Sequence, residues 1–361
     1  MRRIVVLLAV LAALAITGSA GARTYSLFAG QQAPPPAGVP TQANLNGFYP
    51  GKLTIRAGDQ VKVSSTFIHT ATFGSPASLA PLRALFVPDP SGGTYGDTPN
   101  DFAGNPWYFE PLTKLIYNGL AFGPVGDRVV DDTLVHNSGA LTPDQSGKPG
   151  TYTFEFPRRG TYQLVCLLHP GMQGTVVVKG KRAHVASPAV QRAKANKQIA
   201  AGWEKAKALD DTSVPANTVY MGVGGKETLL DFLPATQTVP AGTVVDFVAK
   251  APSEPHNAEF GPLDWILPFN AATDLVPTGP GSPNQGAPFF FYGSDPAVDG
   301  VYTYTGATQH GNGVFATPLA DEEDATPLPN SFKVRFTTPG TYHFICQLHG
   351  PDMAADIVVT P

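Results

Sequence analysis

Two stretches decide the fold: GTYQLVCLLHPGM, residues 160–172, and GTYHFICQLHGPDM, residues 340–353. Each begins with a short run that alternates apolar and polar residues, the pattern of a β-strand with one buried face. Each run then reaches a cysteine, a histidine three residues later, and a methionine. The chain has two cysteines in all, and a disulfide between them would need neither histidine nor methionine. The repetition therefore favours two metal sites over a disulfide between Cys166 and Cys346.

The similarity between the two halves extends beyond these stretches. FYPGKLTIRAGDQV, which begins at Phe48, matches FLPATQTVPAGTVV, which begins at Phe232. Each copy also ends in an apolar strand-like run, GTVVVKG at residues 174–180 and ADIVVTP at residues 355–361. One domain is therefore used twice.

The repeated unit has the sequence pattern of a β-sandwich. Short runs rich in Val, Ile, Thr, Phe and Tyr are separated by Gly and Pro, of which the chain has 38 and 36. One stretch, residues 187–209, is rich in Ala, Lys and Gln and predicts a helix with a solvated basic face. We expect an all-β chain with a first domain at 23–180, a basic helical linker at 181–216 and a second domain at 217–361.

The first 22 residues, MRRIVVLLAVLAALAITGSAGA, combine a basic start, an apolar run and small residues at the end. This pattern is typical of a secretory signal peptide, and it predicts export to the periplasm, the cell envelope or the extracellular space. A retained anchor helix is the alternative. No later apolar run in the sequence is long enough to span a bilayer, so no membrane span is expected after cleavage.

Charge distinguishes the two copies. Residues 23–180 contain eleven basic and ten acidic residues, whereas residues 217–361 contain four basic and fifteen acidic ones. The acidic second domain would attract basic partner proteins, or it would only keep an exported protein soluble. The basic linker allows a nucleic-acid interpretation, but an exported β protein makes nucleic acid an unexpected partner. The sequence leaves oligomerisation open.

Thiolate, imidazole and thioether groups in one loop form a soft ligand set that suits copper. Each copy needs one further imidazole. His69 in FIHTATFG and His256 in EPHNAEFG supply it at equivalent points of the repeat, because each is followed by Phe and Gly at the same spacing.

This order of an upstream histidine, a Cys-x-x-His motif and a methionine before the last strand resembles the type 1 copper domains of the cupredoxin family, plastocyanin and amicyanin in particular. The resemblance implies two Greek-key β-sandwiches and two type 1 copper ions per chain. It implies one site formed by His69, Cys166, His169 and Met172, and a second formed by His256, Cys346, His349 and Met353. Methionine would be the weak axial ligand that tunes the redox potential.

The family exposes an edge of the downstream histidine through an apolar patch. The resemblance therefore implies that electrons leave through His169 and His349. The residues expected to form the two patches are Leu167, Leu168 and Pro170 in the first domain and Leu348 and Pro351 in the second.

We therefore expect an exported blue copper protein that transfers single electrons between redox partner proteins. A copper-binding or copper-delivery protein is the alternative. Copper nitrite reductases and two-domain laccases also contain linked domains of this kind. However, Val165 and Ile345 stand where those enzymes have the first residue of a His-Cys-His run, and the sequence has no His-x-His pair. The chain is therefore expected not to be an enzyme.

Two more histidines occupy roughly equivalent places in the copies, His136 in VHNSGAL and His310 in QHGNGVF. They suggest an additional metal site. The turn-forming residues around both favour surface turns instead.

Overall fold

The structure is a computed structural model that describes residues 21–79, 82, 86–89, 115–131, 134–264, 266–267, 293–294, 299–306, 314–322 and 328–361. The first 20 residues, which include most of the predicted signal peptide, lie outside this range, as does His310. Large parts of the segments from His69 to Cys166 and from His256 to Cys346 lie outside it as well.

Short strands form the first domain. In β5, for example, Val61 and Val63 are buried while Lys62 is exposed, so the alternation of the sequence becomes an inner and an outer face. Two short helices accompany the strands: α1 (Pro76–Leu79) and α2 (Gly119–Phe122). The strands are β1 (Thr24–Ala29), β2 (Ala43–Leu45), β3 (Phe48–Tyr49), β4 (Lys52–Arg56), β5 (Asp59–Ser65), β6 (Thr72–Phe73), β7 (Phe86–Pro88), β8 (Leu115–Tyr117), β9 (Pro124–Val125), β10 (His136–Ser138), β11 (Gly150–Phe156), β12 (Gly160–Val165) and β13 (Gln173–Lys179).

The second domain follows helix α3 (Pro188–Ala206). Its strands also alternate, as in β17, where Val245, Phe247 and Ala249 are buried. The strands are β14 (Thr218–Gly224), β15 (Glu227–Leu233), β16 (Thr236–Pro240), β17 (Val244–Lys250), β18 (Glu259–Phe260), β19 (Val301–Tyr304), β20 (Phe315–Ala316), β21 (Ser331–Phe336), β22 (Gly340–Cys346) and β23 (Gly350–Thr360).

The two domains have the same strand order. The first domain has sheets in the order β11-β5-β1-β3 and β4-β13-β12-β6-β10-β9. The second has β21-β17-β14-β15, which β19 and β2 extend at its two edges, and β16-β23-β22-β18-β20. Each is a β-sandwich, and the duplication seen in the sequence is a duplication of the whole topology.

Aromatic side chains fill the space between the sheets of each sandwich. Phe73 makes edge contacts with Phe154 and Phe156, with ring centroids 4.9 and 5.3 Å apart. In the second domain the rings of Phe260 and Phe344 are 4.8 Å apart. Each phenylalanine so buried stabilises the fold by roughly 1.5–3 kcal/mol.

Helix α3 packs against the first domain. It begins after Ser187, whose side-chain oxygen accepts a hydrogen bond from the backbone N–H of Val190, with Pro188 in the first turn. Trp203 is buried in a cluster with Leu45 and Tyr49, whereas the basic residues Arg192, Lys194 and Lys197 of the helix are exposed. Among the described residues, no helix combines the length and hydrophobicity needed to cross a bilayer.

One strand from the first domain joins a sheet of the second domain. Strand β2 belongs in sequence to the first domain, yet it pairs with β15 of the second, with Leu45 opposite Glu227. Beside it, the backbone N–H of Asn46 donates a hydrogen bond to the Lys226 carbonyl at 2.7 Å. Strand β2 is therefore an edge strand of the second domain's sheet, and it links the two sandwiches.

Candidate metal centres

Equivalent strand ends hold the two candidate sites. Cys166 follows β12 directly, and Cys346 is the last residue of β22. The upstream histidines are held by single β-bridges, His69 to Leu141 and His256 to Ala320. Both cysteines are buried and free, so the alternative of a disulfide between them is excluded.

The ligand loop of the first domain folds back on itself. The backbone N–H of Cys166 donates to the carbonyl of Met172 at 3.0 Å, and the N–H of Met172 donates to the carbonyl of His169 at 3.1 Å. Gly171 has a φ of +80°, which a glycine adopts without strain. The turn therefore brings His169 and Met172 back to the end of the strand.

In the first site, three ligand atoms converge. The Nδ1 atoms of His69 and His169 are 3.0 Å apart. The Sγ atom of Cys166 lies 4.0 Å from Nδ1 of His69 and 3.4 Å from Nδ1 of His169. All three residues are at most 1% exposed.

The second site has the same arrangement. The Sγ atom of Cys346 lies 3.7 Å from Nδ1 of His256 and 3.3 Å from Nδ1 of His349. Among the described residues, the two groups of His, Cys, Asp and Glu that are close enough to hold a metal ion are these two.

Both groups fit a metal ion. Ligand atoms about 2.0–2.3 Å from one ion are separated from each other by roughly 3–4 Å, as these atoms are. Two imidazole nitrogens as close as those of His69 and His169 require a proton or a cation between them, because two lone pairs repel. A thiolate with two imidazoles is the trigonal donor set of blue copper sites.

Residues 219–360 match the family model of copper binding proteins of the plastocyanin/azurin family. The second domain is similar to this family over almost its whole length. The first domain repeats its strand order and its site, so the chain is built from two cupredoxin-like sandwiches. No match to the chain is found among curated protein sequences.

Solved cupredoxin structures are similar to parts of the chain. Oxidised plastocyanin from Dryopteris crassirhizoma has 20% identity and a TM-score of 0.21, covering 40% of this chain and 99% of its own. Amicyanin from Paracoccus versutus has 17% identity and a TM-score of 0.22, covering 41% of this chain and 86% of its own. Auracyanin A from Chloroflexus aurantiacus has 18% identity and a TM-score of 0.24, covering 43% of this chain and 98% of its own.

A glycine packs behind the upstream histidine of each domain. Gly30 and Gly222 have φ values of +74° and +65°. A Cβ atom on Gly30 would overlap the ring of His69, and one on Gly222 would lie 2.7 Å from Nε2 of His256. Among the described residues, Nε2 of each histidine has no hydrogen-bond partner. These contacts leave the Nδ1 atoms directed toward the cysteines, and the sequence interpretation missed both glycines.

A polar residue after each upstream histidine ties the ligand loop in place. The backbone N–H of Leu167 donates to Oγ1 of Thr70 at 2.8 Å, and the N–H of Thr70 donates to Sγ of Cys166 at 3.3 Å. In the second domain, the N–H of Gln347 donates to Oδ1 of Asn257 at 2.8 Å. Such contacts around the ligands orient them and tune a bound metal.

The electrostatics favour thiolates. Burial raises the pKa of the Cys166 thiol, but the opposing effects of His169 and His69 together hold it well below its usual range. For His169, burial lowers the pKa, whereas Cys166 and Glu254 raise it, and the resulting pKa is about 10. Burial also lowers the pKa of His349, whereas Cys346 and Glu254 raise it, and the resulting pKa is about 10. Each thiol is therefore prepared to act as an anionic ligand.

Glu254 joins the two sites. Its Oε1 atom lies 2.9 Å from Nε2 of His169 in the first domain, and its Oε2 atom lies 2.7 Å from Nε2 of His349 in the second. The side chain is 13% exposed. Sequence interpretation missed this residue, although it stands two positions before His256.

The expected exit patches lie between the domains instead of on a free surface. Leu167 and Leu168 are buried and His169 is 1% exposed. Leu168 and Leu348 line one cavity of about 480 Å³ with Glu254. Pro170 is half-buried, and Pro351 is exposed. The expectation of an exposed histidine edge is therefore wrong for His169, because the second domain covers it.

His136 is buried in the first domain. His136 is not in a surface turn: it lies on β10, is 1% exposed, and its Nδ1 is 2.8 Å from the carbonyl of Asp127. The prediction of a surface turn was wrong because the polar residues around His136 form buried hydrogen bonds.

Met172 and Met353 are 2% and 0% exposed, and their role as axial ligands stays a prediction.

Proposed function

We propose that the protein is an exported electron carrier that binds one type 1 copper ion in each cupredoxin domain and passes single electrons between redox partner proteins. The observation that carries the proposal is the convergence, in both domains, of two imidazole Nδ1 atoms and one buried cysteine sulfur. Bound copper would supply one-electron chemistry between Cu(I) and Cu(II).

The chain's own residues would keep each site rigid and dry. His69, Cys166 and His169 are almost completely buried, and backbone hydrogen bonds hold the loop that carries two of them. A site that changes little between two oxidation states loses little energy to reorganisation when an electron arrives. Met172 and Met353 are the proposed axial ligands.

The same burial favours retention of copper over delivery. A delivery protein must present its metal to an acceptor, whereas His69 and His256 are 0% exposed. The proposal of export rests on the signal-peptide pattern at residues 1–22, and basic redox partners are proposed because residues 217–361 are strongly acidic.

A redox titration in the presence of a Cu(I) chelator tests this proposal. We expect two reversible one-electron steps per chain, with both copper ions still bound after reduction. Transfer of Cu(I) to the chelator during a single reduction would support delivery instead. Steady consumption of nitrite or dioxygen with a reductant would identify an enzyme.

A further inference from the structure

The two candidate copper sites are connected by one side chain. The carboxylate of Glu254 contacts Nε2 of His169 with one oxygen and Nε2 of His349 with the other, at 2.9 and 2.7 Å. These two histidines belong to different domains, and both direct Nδ1 toward a cysteine sulfur. The contact therefore runs from one ligand set to the other without a break.

The chemistry of this contact requires a carboxylate. A histidine that binds a metal through Nδ1 carries its proton on Nε2, so both rings are donors toward Glu254. A carboxylate accepts two such hydrogen bonds at once, one on each oxygen. A glutamine has one acceptor oxygen, and its amide nitrogen cannot accept from the second ring.

The position of Glu254 breaks the repeat. In FIH the residue two places before His69 is Phe67, and in EPH the residue two places before His256 is Glu254. Phe67 packs near the rings of its own site, 5.8 Å from His69 and 6.1 Å from His169 between centroids. One acidic residue thus serves both sites, and a carrier with two independent sites would have no need of it.

We propose that Glu254 is the connection through which the two copper sites exchange electrons, so that the chain acts as one two-electron unit. The route comprises the imidazole of His169, the carboxylate of Glu254, the imidazole of His349 and the two hydrogen bonds that join them. One electron leaves the reduced site and arrives at the oxidised site, and no bond or proton changes place. The inference rests on the proposed function, since it needs copper in both domains.

Three variants separate the bridge from its charge. Glu254→Gln removes the charge and one hydrogen bond, and Glu254→Asp keeps the charge but is too short to reach both rings. Asp352→Asn removes a negative charge from the wall of the same cavity, where Asp352 is exposed, and leaves the bridge intact. If electron redistribution between the sites is slower in both Glu254 variants but not in Asp352→Asn, the change is due to loss of the bridge and not to loss of a negative charge.

The experiment uses the full chain loaded with copper. A radiolysis pulse delivers less than one electron per chain, and freeze-quench EPR follows redistribution between the sites, with Cys166→Ser and Cys346→Ser as reference spectra. Proton–nitrogen NMR of the Cu(I) form checks the two Nε2–H groups. We expect both Glu254 variants to retain two coppers and to lose a hydrogen-bonded Nε2–H signal. We also expect the rate of electron redistribution to fall by about tenfold or more.

The outcomes separate this proposal from the function on which it rests. Wild-type chains that lack two type 1 spectra would overturn both. Wild-type chains that bind two coppers, with Glu254 variants that redistribute electrons at the wild-type rate, would overturn the bridge alone. If Glu254→Gln fails to fold, Glu254→Asp decides the question, since a wild-type rate in that variant contradicts the proposal equally.

Discussion

Gly30 and Gly222 show how a residue without a side chain contributes to a metal site. Both lie against Nε2 of an upstream histidine, His69 or His256, and both have a positive φ. The space that a Cβ would take is occupied by the imidazole ring. The glycine therefore sets the position of the ring, which in turn directs Nδ1 toward the cysteine.

Replacement of Gly222 by alanine tests this role. Gly222→Ala would push the His256 ring away from Cys346, and we expect the second site to lose copper or its blue absorption while the first site keeps both. Gly242→Ala is the matched control, because Gly242 has a φ of +88° but nothing within 4 Å of its Cβ position. Both variants carry the backbone cost of roughly 1–2 kcal/mol. Equal copper loss in the two, measured by metal analysis and visible spectra, would contradict the prediction.

The ligands could be predicted from sequence, but their surroundings could not. Cys166 and His169 are close in the chain, and their spacing recurs at Cys346, so local pattern and repetition reveal them. Glu254 contacts His169 across 85 positions of sequence and a domain interface. The available signal was the break in the repeat, a charged residue at the position of Phe67.

Helix α3 and strand β2 hold the sandwiches together at the scale of elements. Trp203 of α3 is 7% exposed and packs in a cluster with residues of β1, β2 and β3. Strand β2 in turn extends the sheet of the second domain. The helix thus supports the strand that crosses between domains.

Trp203→Ala should destabilise the protein by about 3–5 kcal/mol, because it leaves a cavity under α3. The loss should also loosen β2, so hydrogen exchange at residues 43–45 should increase. Val190→Ala on the same helix is the control, since Val190 is 59% exposed and its loss should change stability by less than about 0.5 kcal/mol. Chemical denaturation measures the stability of both variants. Similar denaturation midpoints for Trp203→Ala and Val190→Ala would contradict a stabilising role for Trp203.

Elements whose boundaries are marked by residues within the element itself were predicted well from the sequence. The expected helix at 187–209 is observed at Pro188–Ala206, because Ser187 and Pro188 mark its start and its composition favours helix. Strand β2 was not predicted, since its three residues pair with a strand of the other domain. A contact made only after two domains dock leaves no periodicity in the sequence.

The molecule as a whole is asymmetric. The side chain of His169 is 2% exposed and that of His349 is 15% exposed, although the two sites have equivalent ligands. Electrons from an external donor should therefore enter at the second site and reach the first through the interface.

Single-site variants test this order of entry. With a small reductant in stopped-flow experiments, the first site in Cys346→Ser should be reduced more slowly than the second site in Cys166→Ser. Copper content must be one ion per chain in each variant for the comparison to hold. Equal rates, or faster reduction of the first site, would contradict entry at His349.

The presence of two type 1 copper sites is tested by metal analysis with visible and EPR spectra of the purified, copper-loaded protein, alongside Cys166→Ser and Cys346→Ser. We expect two type 1 coppers per chain, and we expect each variant to lose one ion and about half of the blue absorption, because each cysteine serves one site. A single blue copper, colourless copper, or a site that takes only zinc would contradict this expectation.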